Sequence, residues 1–220
     1  LIVSAGDLLR VAYISNTLIV DPIRADAAYH LVYANNLLED ATFSKDMSDD
    51  PVPDSYWAPG YPVFLAAVIK VSELLSVDTY NAILYCQLLL GVGTIFLCFL
   101  LAVSFLPGYW PLLPAFLVAL SPHLVSLASY VLTETLFGFL LILALWTLSK
   151  AMAGSSCVRW LWAGMSFALA YMVNPVSLFL APLLALVLVL TARIGGAELP
   201  IRELYRVLAI FLAPLVIISM

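Results

Sequence analysis

The sequence predicts an all-α protein, a bundle of membrane-spanning helices, and three observations carry that reading. The 220 residues are 64% hydrophobic and only 10% charged, whereas a soluble domain carries roughly a quarter charged residues. Apolar runs long enough to cross about 30 Å of hydrocarbon recur along the chain, which means several spans rather than one anchor. One long polar segment, residues 21–62, holds most of the acids and stands apart from the oily remainder. Membrane lipids are the surroundings that this composition demands. The formal net charge of −5 says little about partners, because the acids are gathered in that one segment. Nucleic acid is excluded by the lack of any basic cluster.

Residues 1–15 read as the outer part of a first span, with Arg10 near its end, where it either anchors the helix or reaches into a site. Asp7 and Arg10 interrupt the apolar run, so it is not a signal peptide. An outer loop over residues 15–80 follows. Asp21-Pro22 is an N-cap acid with proline in the first turn and opens a helix over about 22–40. On it Asp26, Tyr29, His30, Tyr33 and Leu37 recur at three- and four-residue spacing and share one face. That helix is too polar to cross a membrane but suited to lie on one. Residues 41–55 mix acids, prolines and serines without a period and read as a loop. Asp46, Asp49, Asp50 and Asp54 are most simply solvated there, since they lack the ordered spacing of an EF-hand calcium loop.

The segment over 62–76 is apolar but only about 15 residues long, and Lys70, Ser72 and Glu73 interrupt it. At 1.5 Å each it reaches about 22 Å, short of a core near 30 Å. It is expected to be a second juxtamembrane helix with both ends on the outer side. Spans then follow over about 81–105, 112–132, 135–150, 159–173, 176–192 and 207–220. Pro114 and Pro122 are placed to kink or break the second of these. Together the elements read as a single transmembrane domain over 1–220, the N-terminal part of a longer chain. Cys86, Cys98 and Cys157 lie in or beside apolar runs, with neither metal-site spacing nor a disulfide framework.

Beyond residue 80 the basic residues are Lys150, Arg159, Arg193, Arg202 and Arg206. They fall in two turns that alternate with the turns at Glu134 and Asn174. By the positive-inside tendency the basic turns are cytoplasmic. Glu134, Asn174 and the acidic first loop then share the non-cytoplasmic side of the plasma (inner) membrane.

The candidates for chemistry lie on that side. Asp26, beside aromatics at a membrane surface, is either a general base or a solvated helix-face acid. Glu134 is a lone acid between two apolar runs, a place where an ionisable group is a functional candidate unless it caps the next helix. His30 lies on the Asp26 face, and His123 follows Pro122 near the same surface. Lys70 either snorkels or reaches a ligand. Tyr56, Trp57 and Tyr61, with their prolines, form an interface belt or a stacking surface for sugar or lipid head groups.

The order of these landmarks resembles the C-type (GT-C) glycosyltransferase superfamily, the polytopic enzymes that use polyprenyl-phosphate-linked sugars. The nearer resemblance is to its protein mannosyltransferase and lipid A aminoarabinose transferase branch. Four landmarks carry it, over about residues 9–182. Leu9-Arg10 ends the first helix. Asp26-Ala27-Ala28-Tyr29 follows in the first outer loop, with Ala34 and Leu37-Leu38. Then come Pro59-Gly60-Tyr61-Pro62-Val63-Phe64-Leu65-Ala66, and Ser121-Pro122 followed by Thr133-Glu134-Thr135-Leu136-Phe137. Two departures stand out: Asn174-Pro175 where many relatives have a basic residue before the proline, and a single Asp26 where some branches have an Asp-Glu pair.

The resemblance implies an inverting sugar transfer from a polyprenyl-phosphate donor to a hydroxyl of a protein, lipid or glycan acceptor. Asp26 would deprotonate the acceptor. Arg10, Arg24 or Lys70 would stabilise the leaving lipid phosphate, and Glu134 would orient the acceptor or hold a cation. Tyr29, His30, Tyr56, Trp57, Tyr61, His123 and Asn174 complete the expected substrate-binding set. No soluble cofactor is implied, and metal use varies across the superfamily. The rival reading is a non-catalytic membrane subunit on the same frame, holding lipid or a protein partner. The enzyme reading expects Asp26 and Glu134 to converge on one cavity.

Overall fold

A computed structural model describes residues 2–17, 23, 25–153, 156–194 and 201–219, with backbone alone over 188–194, 201–204 and 219. Among the described residues the protein is all-helical, and it divides into two compact units, residues 1–139 and 140–220.

The first unit is built around α4, Thr79–Val103. Its 25 residues extend about 38 Å at 1.5 Å per residue. Asp78 caps the start, its carboxylate accepting from the Asn81 N–H at 3.0 Å. The other helices of the unit are α1 (Ile2–Asn16), α2 (Asp26–Glu39), α3 (Gly60–Leu75), α5 (Leu112–Leu120) and α6 (Pro122–Leu127). Helices α1, α3 and α5 pack on α4, and α2 packs on α3. Helix α3 is two-faced: Tyr61, Leu65, Ile69 and Ser72 are buried, while Lys70 and Glu73 pair at 3.0 Å in solvent. It stops at Ser76, which takes a left-handed φ of 53° and donates its N–H back to the last turn.

The helix of the first loop is described from Asp26, and Ala25 before it has a φ of 52°. The Asp21-Pro22 start lies outside the described residues. The span over 112–132 breaks at Pro122, one of the two places its prolines marked, into α5 and α6, because Pro122 has no N–H to continue the ladder and holds Ser121 extended. The expected continuation to 132 is corrected, since α6 ends at Leu127. The Ser121 hydroxyl instead accepts from the Leu124 N–H at 3.4 Å and starts α6.

Helix α7, Thr133–Met152, begins in the first unit and ends in the second. The second unit adds α8 (Cys157–Val173), α9 (Ser177–Ile194) and α10 (Ile201–Ser219). Its core is apolar: Phe211 meets Phe167 and Trp160 edge-on, with ring centroids 5.5 and 6.2 Å apart. Gly164 lets α10 approach, since a Cβ there would run into the Phe211 backbone carbonyl. Among the described residues, α4 and α7 are the two helices long and apolar enough to cross a membrane, and the apolar stretches of α8, α9 and α10 are shorter.

Candidate functional site

The residues of the first loop form more than a solvated connection. Asn36 on α2 donates both amide hydrogens into it, to the carbonyls of Ser44 at 2.9 Å and Asp46 at 2.8 Å. Asp54 gathers three donors: the Tyr33 hydroxyl, the Lys45 N–H at 2.9 Å and the Tyr56 N–H at 3.0 Å. These bonds, led by the Lys45 amide, hold its carboxyl below the usual range, while burial and the Asp54 charge push the Tyr33 phenol up. Asp46 accepts from the Ser48 N–H at 3.1 Å, which lowers its pKa in the same way. Asp46 and Asp54 are therefore structural acids, a correction to their reading as simply solvated. Their signal in the sequence is the Asx turn, a carboxylate accepting the N–H two residues on.

The ordered loop and α2 enclose an open cavity of about 690 Å³, lined by Asp26, Tyr29, Lys45, Asp54, Tyr56 and Trp57 among others. Asp26 sits in the first turn of α2, where the helix dipole favours a carboxylate. It is exposed and accepts no hydrogen bond from the described residues, unlike the two other acids of the cavity wall. Lys45 lies over the Tyr56 ring, 4.1 Å from its centroid. Among the described residues it is the cation of the cavity, and no motif announced it. Aromatic faces, an uncommitted carboxylate and an ammonium together suit a polyol ring bearing a phosphate.

Behind the wall, His30 is buried between Trp57, 4.9 Å away, and Tyr61, 5.0 Å away and edge-on. Burial lowers its pKa against the pull of Asp26, and its Nδ1 has no hydrogen-bond partner. Tyr61 is fully buried and accepts from Gln87 Nε2 at 3.2 Å. Burial raises the Tyr61 phenol; the Gln87 bond opposes this and the Glu134 charge adds to it.

Glu134 does not line the Asp26 cavity. With Arg10, Gly91 and Thr94 it lines a separate pocket of about 40 Å³, so the two carboxylates do not converge on one space. Arg10 is buried at 1% exposure, where its Nη1 donates to the Gly6 and Ala119 carbonyls at 2.9 and 3.3 Å and its Nη2 to Val118 at 3.4 Å. Pro122 cannot serve the end of α5, and Arg10 caps those carbonyls in its place. Only Gly91 fits beside it, because a Cβ there would lie 2.9 Å from Arg10 Nε.

The remaining expected site residues lie elsewhere. Lys70 is exposed and paired with Glu73, and His123 is exposed at the start of α6. Asn174 belongs to the second unit, where its Oδ1 accepts the Val176 N–H at 3.1 Å in the turn after α8. Arg24 lies outside the described residues. Among the described residues no group of three or more His, Cys, Asp or Glu is placed to hold a metal ion. Compared with known proteins, the chain is matched by no protein-family model and by no curated sequence.

Proposed function

We propose that the chain is a multi-pass membrane glycosyltransferase of C-type architecture, moving a sugar with inversion from a polyprenyl-phosphate donor to an acceptor hydroxyl on the non-cytoplasmic side. One observation carries this reading: Asp26 is the acid of the aromatic cavity that no described donor engages, while Asp46 and Asp54 are occupied in folding the loop. The acceptor oxygen attacks the anomeric carbon as its proton passes to Asp26. The bond from that carbon to the phosphate oxygen breaks, and the electron pair leaves on the lipid phosphate. Lys45 is the cation within the cavity to stabilise that charge. General base catalysis of this kind contributes about 10²–10⁴-fold. Sugar transfer from a polyprenyl-phosphate donor, assayed in proteoliposomes, should therefore fall by about that factor in Asp26→Asn. Wild-type rates in that variant would refute the assignment.

The cavity faces the water layer if α3 lies on the membrane rather than through it. Its 16 residues extend about 24 Å, and its outer face carries the exposed Lys70–Glu73 pair. Cysteines at Val52 and Thr79 should both react with a membrane-impermeant reagent in intact cells. Protection of Thr79 alone until permeabilisation would mean that α3 crosses.

A second reading, a non-catalytic subunit that holds lipid or a protein partner, draws support from the separation of Glu134 from the Asp26 cavity. On that reading the Asp26→Asn protein assembles and functions normally.

A further inference from the structure

The second unit carries a groove that sugar transfer does not use. It lies between the last turns of α7 and the start of α8 and has a volume of about 430 Å³. On α7 it is lined by Leu143, Trp146, Thr147 and Lys150, a stripe at i, i+3, i+4 and i+7. On α8 the facing stripe starts at Arg159 and continues through Trp162 and Met165 to Leu169. The Arg159 guanidinium donates to the Lys150 carbonyl at 3.4 Å, so both stripes start from one end of the groove. Lys150 and Arg159 form one end, Trp146 and Trp162 follow, and leucine and methionine form the other end.

The polar groups along the walls fit the same gradient. The hydroxyls of Thr147 and Ser166 both turn back on their own helices, donating to backbone carbonyls at 2.8–2.9 Å, so the deep wall is apolar. Trp146 Nε1–H is buried and has no hydrogen-bond partner among the described residues. Among the described residues no carboxylate lines the groove. Trp162 is 63% exposed beside the two cations.

We propose that this groove binds an anionic glycerophospholipid of the surrounding membrane. Its phosphate lies against Lys150 and Arg159, its ester region meets the exposed Trp162 ring, and one acyl chain follows Leu143, Met165 and Leu169. The charge complementarity selects an anionic lipid over a zwitterionic one, and the apolar length selects a lipid over a free anion. The inference rests on the membrane embedding proposed above but not on sugar transfer.

The test is native mass spectrometry of the full chain released from nanodiscs of equal dioleoyl phosphatidylglycerol and dioleoyl phosphatidylcholine. The wild type should retain phosphatidylglycerol over phosphatidylcholine. Each cation removed should cut that preference about five-fold, so Lys150→Gln with Arg159→Gln nearly abolishes it, whereas Lys150→Arg keeps it. Equal retention of both lipids, an unchanged preference in the double variant, or displacement of the lipid by inorganic phosphate would overturn the proposal. Should the double variant fail to fold, brominated lipids decide on the folded protein. Brominated phosphatidylglycerol should quench the fluorescence lost in Trp146→Phe with Trp162→Phe more than brominated phosphatidylcholine does, and equal quenching refutes the site. A chain that leaves membranes without detergent and retains neither lipid would overturn the embedding itself, a result distinct from loss of selectivity.

Discussion

In the first unit Arg10, His30 and Gln87 are buried beside Tyr33 and Tyr61, while the buried cluster of the second is Ala144, Leu148, Trp160, Phe167, Phe211 and their apolar neighbours. Buried polar side chains in the second unit are, among the described residues, serines. Burying a cation costs several kcal/mol unless its donors are used. Arg10 uses its terminal nitrogens on carbonyls left by the break before Pro122. The first unit is thus held by specific polar bonds, and these order the loop and shape the cavity around Asp26. The second is held by close approach of small and aromatic residues and needs no such bonds. The proposed chemistry is assigned to the unit with the first kind of packing.

The largest effect that would break this contrast is at Arg10. Arg10→Met leaves the carbonyls of Val118 and Ala119 without these donors, at a cost of about 1–3 kcal/mol each. Thermal unfolding of the detergent-solubilised chain should move down accordingly. An unchanged midpoint would mean that the first unit does not depend on polar caps. In the second unit the matching change is steric. Gly164→Val forces α8 from the Phe211 carbonyl and should cost about 1–3 kcal/mol or more, measured the same way. A neutral result would contradict close approach as its stabilising principle.

A smaller effect concerns pH. His30 is held neutral by burial, so its folded pKa lies below the unfolded value near 6.5. The unfolded chain binds the proton first, and stability falls as pH drops from about 6.5 toward the folded pKa. Asp26, the charge facing His30, moderates the fall, and Asp26→Asn should steepen it. Below it the structural acids act with the same sign. The depressed Asp54 and Asp46 keep the loop ordered above the ordinary carboxylate range and release it as pH falls through their folded values. Hydrogen exchange over residues 41–58 follows both steps, and His30→Phe should remove the upper one alone. The smallest expected effect is at the end of α3: Ser76→Gly relieves a left-handed φ of 53°, and after glycine's larger entropy in the unfolded chain should stabilise by at most about 1 kcal/mol.

The same contrast explains what was legible in the sequence. Helix α4 was readable from its uninterrupted apolar length, and α3 from its mixed faces, because both signals are local and periodic. Pro122 signalled a break, but not that it would divide the helix completely. Arg10 was visible as a cation near the end of the first helix, yet its partners on α5 lie 108 and 109 residues away, and no spacing announces that. Lys45 and Asp54 were unreadable as cavity walls for the same reason. The bonds that fold the loop join Asn36 to Ser44 and Asp46, and Tyr33 to Asp54, across a stretch with no period. Glu134 stood out as a lone acid between apolar runs, but its neighbour in the small pocket is Arg10, not Asp26.

The central claim, that Asp26 acts as a base in a cavity whose other acids are structural, is tested most directly by single-turnover sugar transfer from a polyprenyl-phosphate donor. Asp26→Asn and Asp54→Asn would be compared at matched protein concentration, with Trp57 fluorescence reporting loop order. The account predicts that Asp26→Asn keeps the loop ordered and loses about 10²–10⁴-fold in rate, while Asp54→Asn disorders the loop and loses rate only in proportion to that disorder. Wild-type transfer by an ordered Asp26→Asn protein would contradict it.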